Sequence, residues 1–296
     1  MEAQSLVQRL LQFPTLRIRN LAGTTDKLAK LIHGGKKNVH FICDFDMTMS
    51  VHWVRNKTTF ALERNCSSHG IPARYDKLGA DFKKETARLY NTYYPIEIDK
   101  QMTFEEKVPF MIKWWEQAHE AIVSQKLTRQ DIIDMVDQSN IELRPGLDTV
   151  LNYCRDTQVP FLVFSAGIGD LIERVLLKQR LLFENMHIVS NMMTFDQNNV
   201  CVDFKEPVIH VLNKSEVQVE NTPYAPLIKD RSNVILIGDS CADTQMAHGI
   251  KHDCCLTIGL LNHDIEHLEP RYLQTFDIVI EGDANLNPIM DILENI

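Results

Sequence analysis

Two carboxylates one residue apart, in Asp44-Phe45-Asp46-Met47-Thr48, stand directly behind the apolar run VHFIC. Side chains two apart on an extended chain point the same way, so Asp44 and Asp46 are expected to face one site. Such a pair can share Mg²⁺, a hard cation that takes oxygen ligands and keeps several waters. The two can also divide the labour of phosphoryl transfer. One attacks phosphorus and forms an aspartyl phosphate, while the other, protonated, gives its proton to the leaving oxygen. A solvated acidic turn is the bland alternative, and the position behind a buried strand favours chemistry.

Two further runs end in polar residues of the right kind. PFLVF leads into Ser165-Ala166-Gly167-Ile168-Gly169 and the helical pattern DLIERVLLKQR. A hydroxyl and free backbone N–H groups at a helix start suit a phosphate. A dinucleotide fingerprint would need a third glycine, and Ile172 stands there. NVILIG ends at Gly238 and leads into Asp239-Ser240-Cys241-Ala242-Asp243, whose spacing is expected to put both carboxylates on the first turn of a helix, Asp239 nearest the strand. Acidic residues there are common caps, but together with Asp44 they can complete a magnesium site. Three ionised aspartates and a phosphate dianion carry far more negative charge than one Mg²⁺ offsets. Lys214, in HVLNK, is the cation that can compensate, as helix N-terminal dipoles do.

What positions these residues is read from hydrophobic period. The three runs have strand length and are apolar throughout, as parallel strands buried on both faces must be. The fold expected is α/β, a doubly wound parallel sheet with its ligands beyond the carboxyl ends of the strands. Between the first and second runs, from about Tyr75 to Asn140, the pattern is helical. Capping boxes stand at Thr103 with Glu106 and at Thr128 with Asp131. This block reads as an inserted α-helical cap, residues 49–143, on a catalytic core of 1–48 and 144–296. Arg144, Pro145 and Gly146 mark the return.

Composition narrows the function classes. Forty Asp plus Glu against thirty-one Lys plus Arg give a net charge of -9 over 296 residues, which argues against a basic nucleic-acid surface. With 44% hydrophobic and 24% charged residues the chain reads as a soluble globule. No apolar run approaches the roughly 18 to 20 residues that span a bilayer. Glu2 and the interrupted apolar residues after it read against a secretory signal, and Glu2 and Asp26 against a transit peptide. Seven cysteines without a Cys-x-x-Cys fit a reducing compartment, the cytoplasm.

The order Asp44-x-Asp46-x-Thr48, Ser165, Lys214, Gly238-Asp239 with Asp243 resembles the haloacid-dehalogenase superfamily of phosphotransferases. FICDFDMTMS, YYPIEID, FSAGIGD, HIVSN, IHVLNK and GDS-x-x-D resemble more closely the class III cytosolic pyrimidine 5'-nucleotidases, from about Phe41 to Ile280. The resemblance implies Asp44 as nucleophile and metal ligand, and Asp46 as general acid and base with its backbone carbonyl on the metal. Asp239 becomes the third protein ligand to Mg²⁺, supported by Asp243 through waters. Ser165, Ala166 and Lys214 are implied to hold the phosphate of a nucleoside monophosphate. Glu97 is implied to meet the base's amino group, and Trp115, with Ala118 three positions on, to stack on the base. Members favouring CMP and UMP typically carry Tyr and Ser at those two places, so Trp and Ala resemble the branch that hydrolyses 7-methylguanosine monophosphate. Physics points the same way, because a methylated guanine is cationic and indole offers the strongest cation–π face. Of the adjacent Trp114 and Trp115, one is expected in the cap core. The stretch from about Val51 to Gly79 departs from the family pattern, and the second wall of the base pocket is expected there.

Rival readings come from other classes. His263-Asp-Ile-Glu266-His267 fits the His-x-x-Glu-His string of inverted zinc peptidases. A pure nucleotide binder would be expected to lack Asp44, Asp46 or Lys214, and all three are present. A pyrimidine-specific nucleotidase that also transfers phosphate to nucleosides, or a phosphatase for another small phosphomonoester, is the alternative within the superfamily. The protein is expected to act as a monomer, without nucleic-acid or membrane partners.

Overall fold

The computed structural model describes residues 1–99, 101–214, 222–248 and 252–296. The chain opens with α1 (Glu2–Leu10), β1 (Leu16–Arg17) and α2 (Leu21–Gly34), then enters the sheet through β2 (Val39–Cys43). After a turn at Phe45–Met49 it passes through β3 (Trp53–Arg55), β4 (Leu62–Arg64), α3 (Ile71–Arg74), α4 (Ala80–Ile98), α5 (Phe104–Val123) and α6 (Arg129–Gln138). It returns by α7 (Leu147–Asp156), β5 (Phe161–Ile168), α8 (Gly169–Lys178) and β6 (Met186–Asn191), followed by the hairpin strands β7 (Met193–Phe195) and β8 (Cys201–Phe204). The last part holds α9 (Ala225–Ile228), β9 (Asn233–Gly238), β10 (Cys254–Leu261), α10 (Ile265–Thr275), β11 (Ile278–Glu281) and α11 (Asn287–Glu294).

Seven strands form one sheet in the order β1-β11-β10-β9-β2-β5-β6, parallel except for the edge pair β1 and β11. Every residue of β2, β5 and β9 is buried, which is why these runs are apolar without alternation. From β2 the chain proceeds to β5 on one side and later crosses to β9 on the other. The carboxyl end of β2 is therefore the topological switch point, where open α/β sheets bind ligands. Asp44 follows β2, Asp239 follows β9 and Ser165 lies within β5, so the sheet order itself gathers them.

The chain leaves and re-enters this core at one place. Ser50 and Leu143 form an antiparallel bridge, Arg144 N–H donates to Met49 O at 2.8 Å, and Val51 N–H donates to Glu142 O at 3.1 Å. The intervening stretch is helical from α4 onward, and both capping boxes form, the Glu106 and Asp131 carboxylates each accepting from the cap N–H at 2.8 Å. Its first part is not helical. Trp53 to Arg55 pairs antiparallel with Leu62 to Arg64, and a tight turn at Ser68–Gly70 follows. On the core side, the β7–β8 hairpin packs against α5, with Phe204 stacked on His119 at 3.9 Å between ring centroids. Among the described residues no helix is long and apolar enough to cross a membrane, and the cysteines form no disulfide.

Candidate active site

Asp44 caps β2, and its N–H donates to Ile237 O of β9 at 3.0 Å. Asp46 follows on a turn, not on an extension of the strand: it has φ -71° and ψ 126°, and Met47 has φ 61°. The two carboxylates still share the site, Asp44 buried and Asp46 half-buried, but a turn and not strand alternation brings them there. Two donors from one residue hold the Asp46 carboxylate: Ser68 N–H reaches Oδ1 and Ser68 Oγ reaches Oδ2, both at 2.6 Å. Burial raises the Asp46 pKa, and the Ser68 bonds oppose that rise.

Beneath this turn lies Arg144, fully buried. It donates to Met47 O at 2.6 Å, to Thr48 O at 2.7 Å and to Asn262 Oδ1 at 3.0 Å, and it pairs with Asp283 at 3.1 Å. Asn262 Nδ2 donates to the same Met47 carbonyl at 2.8 Å. A positive φ is unfavourable for a side chain like methionine, so this turn needs external support.

The segment Ser165–Ile168 continues β5 with a register shift after Phe164, so the phosphate-loop candidate is an irregular strand end and not a separate loop. Ser165 Oγ accepts from Gly167 N–H at 3.0 Å, which leaves its hydroxyl proton to donate elsewhere. Asn191, at the end of β6, braces the segment: its Nδ2 donates to Ala166 O at 2.9 Å and to Ile209 O at 2.8 Å. Gly167 is required, because a Cβ there would overlap Ser68 Oγ.

Lys214, buried, is ion-paired to Asp44 Oδ1 and to Asp243 Oδ1, the latter at 2.9 Å. Burial alone would lower its pKa, but Asp243 and Asp44 outweigh that and hold the ammonium charged. Asp243 also caps its own turn, Oδ2 accepting from Ser240 N–H at 2.9 Å. Gly238 permits this, since a Cβ there would collide with the folded-back Asp243 side chain. Asp239 does not lie on the helical turn expected for it. That turn is a 3-10 helix, Cys241–Ala247, and Asp239 precedes it. No cation among the described residues pairs with Asp239, whose carboxylate receives only a long bond from Thr48 Oγ1 at 3.5 Å.

One oxygen from each of Asp44, Asp239 and Asp243 lies within 4.8 Å of the others. Burial raises the Asp44 carboxyl to about 7 against the pull of Lys214, with Asp243 adding to the rise, and burial followed by repulsion from Asp44 and Asp243 pushes Asp239 well above its ordinary range. Three hard oxygen donors with one lysine between them form an under-neutralised site, which is what a divalent cation with oxygen preference fits.

The two residues expected at the base lie on neighbouring helices, Glu97 on α4 and Trp115 on α5. Trp114 and Trp115 point in different directions: Trp114 packs in the α4–α5 interface, stacked on Tyr93 at 6.0 Å, with Ala118 in the same cluster. Trp115 turns toward the sheet, and its indole N–H donates to Ala166 O at 2.8 Å. It is 8% exposed, with the His69 ring 5.9 Å away, so a stacked base needs room that its neighbours now fill. Among the described residues no hydrogen bond or ion pair links Glu97 to Trp115 or to the aspartates. Its backbone carbonyl accepts from Lys107 Nζ at 2.9 Å, and burial raises its carboxyl pKa against the pull of Arg64 and Lys107.

The His-x-x-Glu-His string does not form a metal site. Asp264 at φ 49° separates His263 from α10, so the two histidines do not share a helix face. His263 instead packs on His52 at 4.5 Å, and His267 bonds Asp264 at 2.6 Å. Residues that sequence reasoning passed over include Ser68, Asn191, Arg144 and Asn262. Only Asn191 had a signal, as a polar strand end in HIVSN.

Comparison with known proteins places this arrangement. The family model for pyrimidine 5'-nucleotidase (UMPH-1) matches residues 48–296, beginning just after Asp46. A 7-methylguanosine phosphate-specific 5'-nucleotidase of Gallus gallus is 36% identical over 288 residues, 97% of each chain, and so includes the Asp44 strand. Among solved structures, cytosolic 5'-nucleotidase IIIB bound to cytidine superposes with a TM-score of 0.88 at 30% identity, covering 100% of this chain and 97% of that one. A HAD-family hydrolase of Salmonella enterica serovar Typhi, at 15% identity and a TM-score of 0.52 over 87% of this chain and 72% of that one, shares the fold.

Proposed function

Since the chain belongs to the pyrimidine 5'-nucleotidase (UMPH-1) family and is a 5'-nucleotidase, we propose that it hydrolyses 7-methylguanosine 5'-monophosphate, and CMP less well, through an aspartyl phosphate with Mg²⁺. The observation that carries the mechanism is the convergence of Asp44, Asp239 and Asp243 around Lys214, with Asp46 beside them. Lys214 engages Asp44 Oδ1 and leaves Oδ2 to attack phosphorus. Asp46 gives its proton to the departing 5'-oxygen as the P–O bond breaks. It then takes a proton from water, whose oxygen attacks phosphorus and releases Asp44. Asp44, Asp239 and the Asp46 backbone carbonyl would hold Mg²⁺, with Asp243 supporting it through waters. The cation supplies charge neutralisation for the phosphate. Ser165, Ala166 and Lys214 bind that phosphate.

Residues 49–143 are the specificity module in this reading, on a core of 1–48 and 144–296. The Gallus gallus relative's name, the indole of Trp115 and the carboxylate of Glu97 support a cationic purine. His69, from the stretch where the second pocket wall was expected, stands beside Trp115. A monomer acting on a free nucleotide, without nucleic-acid or membrane partners, belongs to the same reading. A cytoplasmic site fits cysteines that form no disulfide among the described residues and the cytosolic name of the similar structure.

The test is kcat/KM for 7-methyl-GMP, GMP, CMP and UMP with Mg²⁺ and after chelation. The reading expects 7-methyl-GMP to lead and chelation to abolish turnover. CMP or UMP leading by tenfold would favour the pyrimidine-specific alternative, and nucleoside acceptors that divert phosphate from water would identify a phosphotransferase.

A further inference from the structure

Three parts of the chain meet at the Ser68 side chain. It belongs to the turn Ser67–Gly70, held by Gly70 N–H donating to Ser67 Oγ at 3.1 Å, and it is fully buried. Its N–H and Oγ engage the two oxygens of Asp46 from the core turn, and its Oγ fills the space a Cβ would need at Gly167 of the phosphate segment. No other hydrogen bond to the Asp46 carboxylate occurs among the described residues. We propose that Ser68 is a positioning residue for Asp46, aiming its Oδ2 at the leaving oxygen, and that this aim exists only when the inserted segment is docked on the core. The proposal rests on the 5'-nucleotidase reading above.

The chemistry suits a serine. Asp46 alternates between carboxyl and carboxylate in the two half-reactions, and a partner that only donates or only accepts would serve one of them. A hydroxyl accepts from the resting acid and, by rotating, donates to Oδ2 once that proton turns to the leaving oxygen, so the contact persists through the cycle. The backbone N–H can only donate, so Oδ1 stays an acceptor and the proton resides on Oδ2. From Oδ2 it passes to the 5'-oxygen as the P–O bond breaks, and Oδ2 regains a proton from the attacking water.

Leaving groups separate positioning from mere support. A nucleoside alkoxide needs the proton, whereas p-nitrophenolate departs without it, and kcat/KM reports only the steps through departure. Ser68→Ala and Ser68→Gly are expected to lower kcat/KM for the nucleotide about 10²-fold, the lower end for general acid catalysis. With p-nitrophenyl phosphate the loss stays within about threefold, and in an Asp46→Ala background Ser68→Ala costs little more. Equal losses on both substrates, no loss on either, or full additivity with Asp46→Ala overturns the proposal. If the unaltered protein cleaves simple alkyl phosphates but no nucleotide, the nucleotide reading fails instead, and the alkyl ester takes the nucleotide's place in the same comparison.

Discussion

Arg144 donates to the main-chain carbonyl of Met47 at 2.6 Å and so secures a residue of positive φ between Asp46 and Thr48. The guanidinium reaches this loop from the point where the inserted segment rejoins the core. Removing it would leave the Asp283 carboxylate without its cation, held only by the His52 and Trp53 N–H groups, and would take a donor from the Met47, Thr48 and Ala284 carbonyls.

Arg144→Met is therefore expected to destabilise the fold by about 3 to 5 kcal/mol, the range for breaking a buried ion pair. Denaturant unfolding measures it, and a loss under 1 kcal/mol would show that the turn supports itself. Lysine should not substitute, having one nitrogen where the guanidinium uses three.

Asp44→Asn is expected to reduce phosphate release on the order of 10⁴-fold while equilibrium binding of the nucleotide survives. Lys214 keeps Asp243 as a partner in this variant, so the fold should persist. Undiminished turnover would refute the aspartyl-phosphate mechanism.

Trp115→Tyr should lower kcat/KM for 7-methyl-GMP more than for CMP, by about three- to tenfold, because the cation–π face weakens for the charged base alone. The change also disturbs the bond from the indole N–H to Ala166 O, which acts on the phosphate end of every substrate. A loss of equal size for both nucleotides would assign Trp115 to that bond and not to the base.

Acid should unfold the protein early. Burial pushes the His40 and His119 imidazoles down to about 3 from an ordinary 6.5, and His119 Nε2 finds no hydrogen-bond partner among the described residues. The unfolded chain takes up these protons first. The stability these two groups contribute is thus full above about pH 6.5 and falls as pH drops toward 3, each adding up to about 1.4 kcal/mol per pH unit, against the opposite slope of the buried Asp44 and Asp239 carboxyls. His119→Phe, which keeps a ring against Phe204, should flatten the decline between pH 6.5 and 4 in denaturant titrations. An unchanged slope would mean the unfolded chain does not protonate at that position as supposed.

Much of the core was legible because burial on both faces of a parallel strand leaves an unmistakable apolar run. The capping boxes were legible because their partners are three residues apart. Lys214 was legible from charge balance and from the motif IHVLNK that it closes. Ser68 had no such trace: its contact with Asp46 spans twenty-two residues and depends on how a short irregular turn docks. Arg144 read only as a boundary, since nothing in a sequence tells a buried guanidinium from an exposed one. The rival reading of the His-x-x-Glu-His string fails because a shared helix face requires helical backbone at Asp264, which is left-handed. Trp114 and Trp115 show the limit of adjacency, as neighbours on a helix are turned by about 100° and serve different surfaces.

The bridge between Ser50 and Leu143 has an evolutionary side. To the sheet, the whole excursion between them is a single hairpin loop, whose length enters the free energy only logarithmically. A lineage could lengthen, trim or exchange that excursion without disturbing the strand order that assembles the aspartates. Descent with one reaction and many leaving groups is the outcome such a joint allows. The cost is that each new insert must again supply a residue in the place of Ser68.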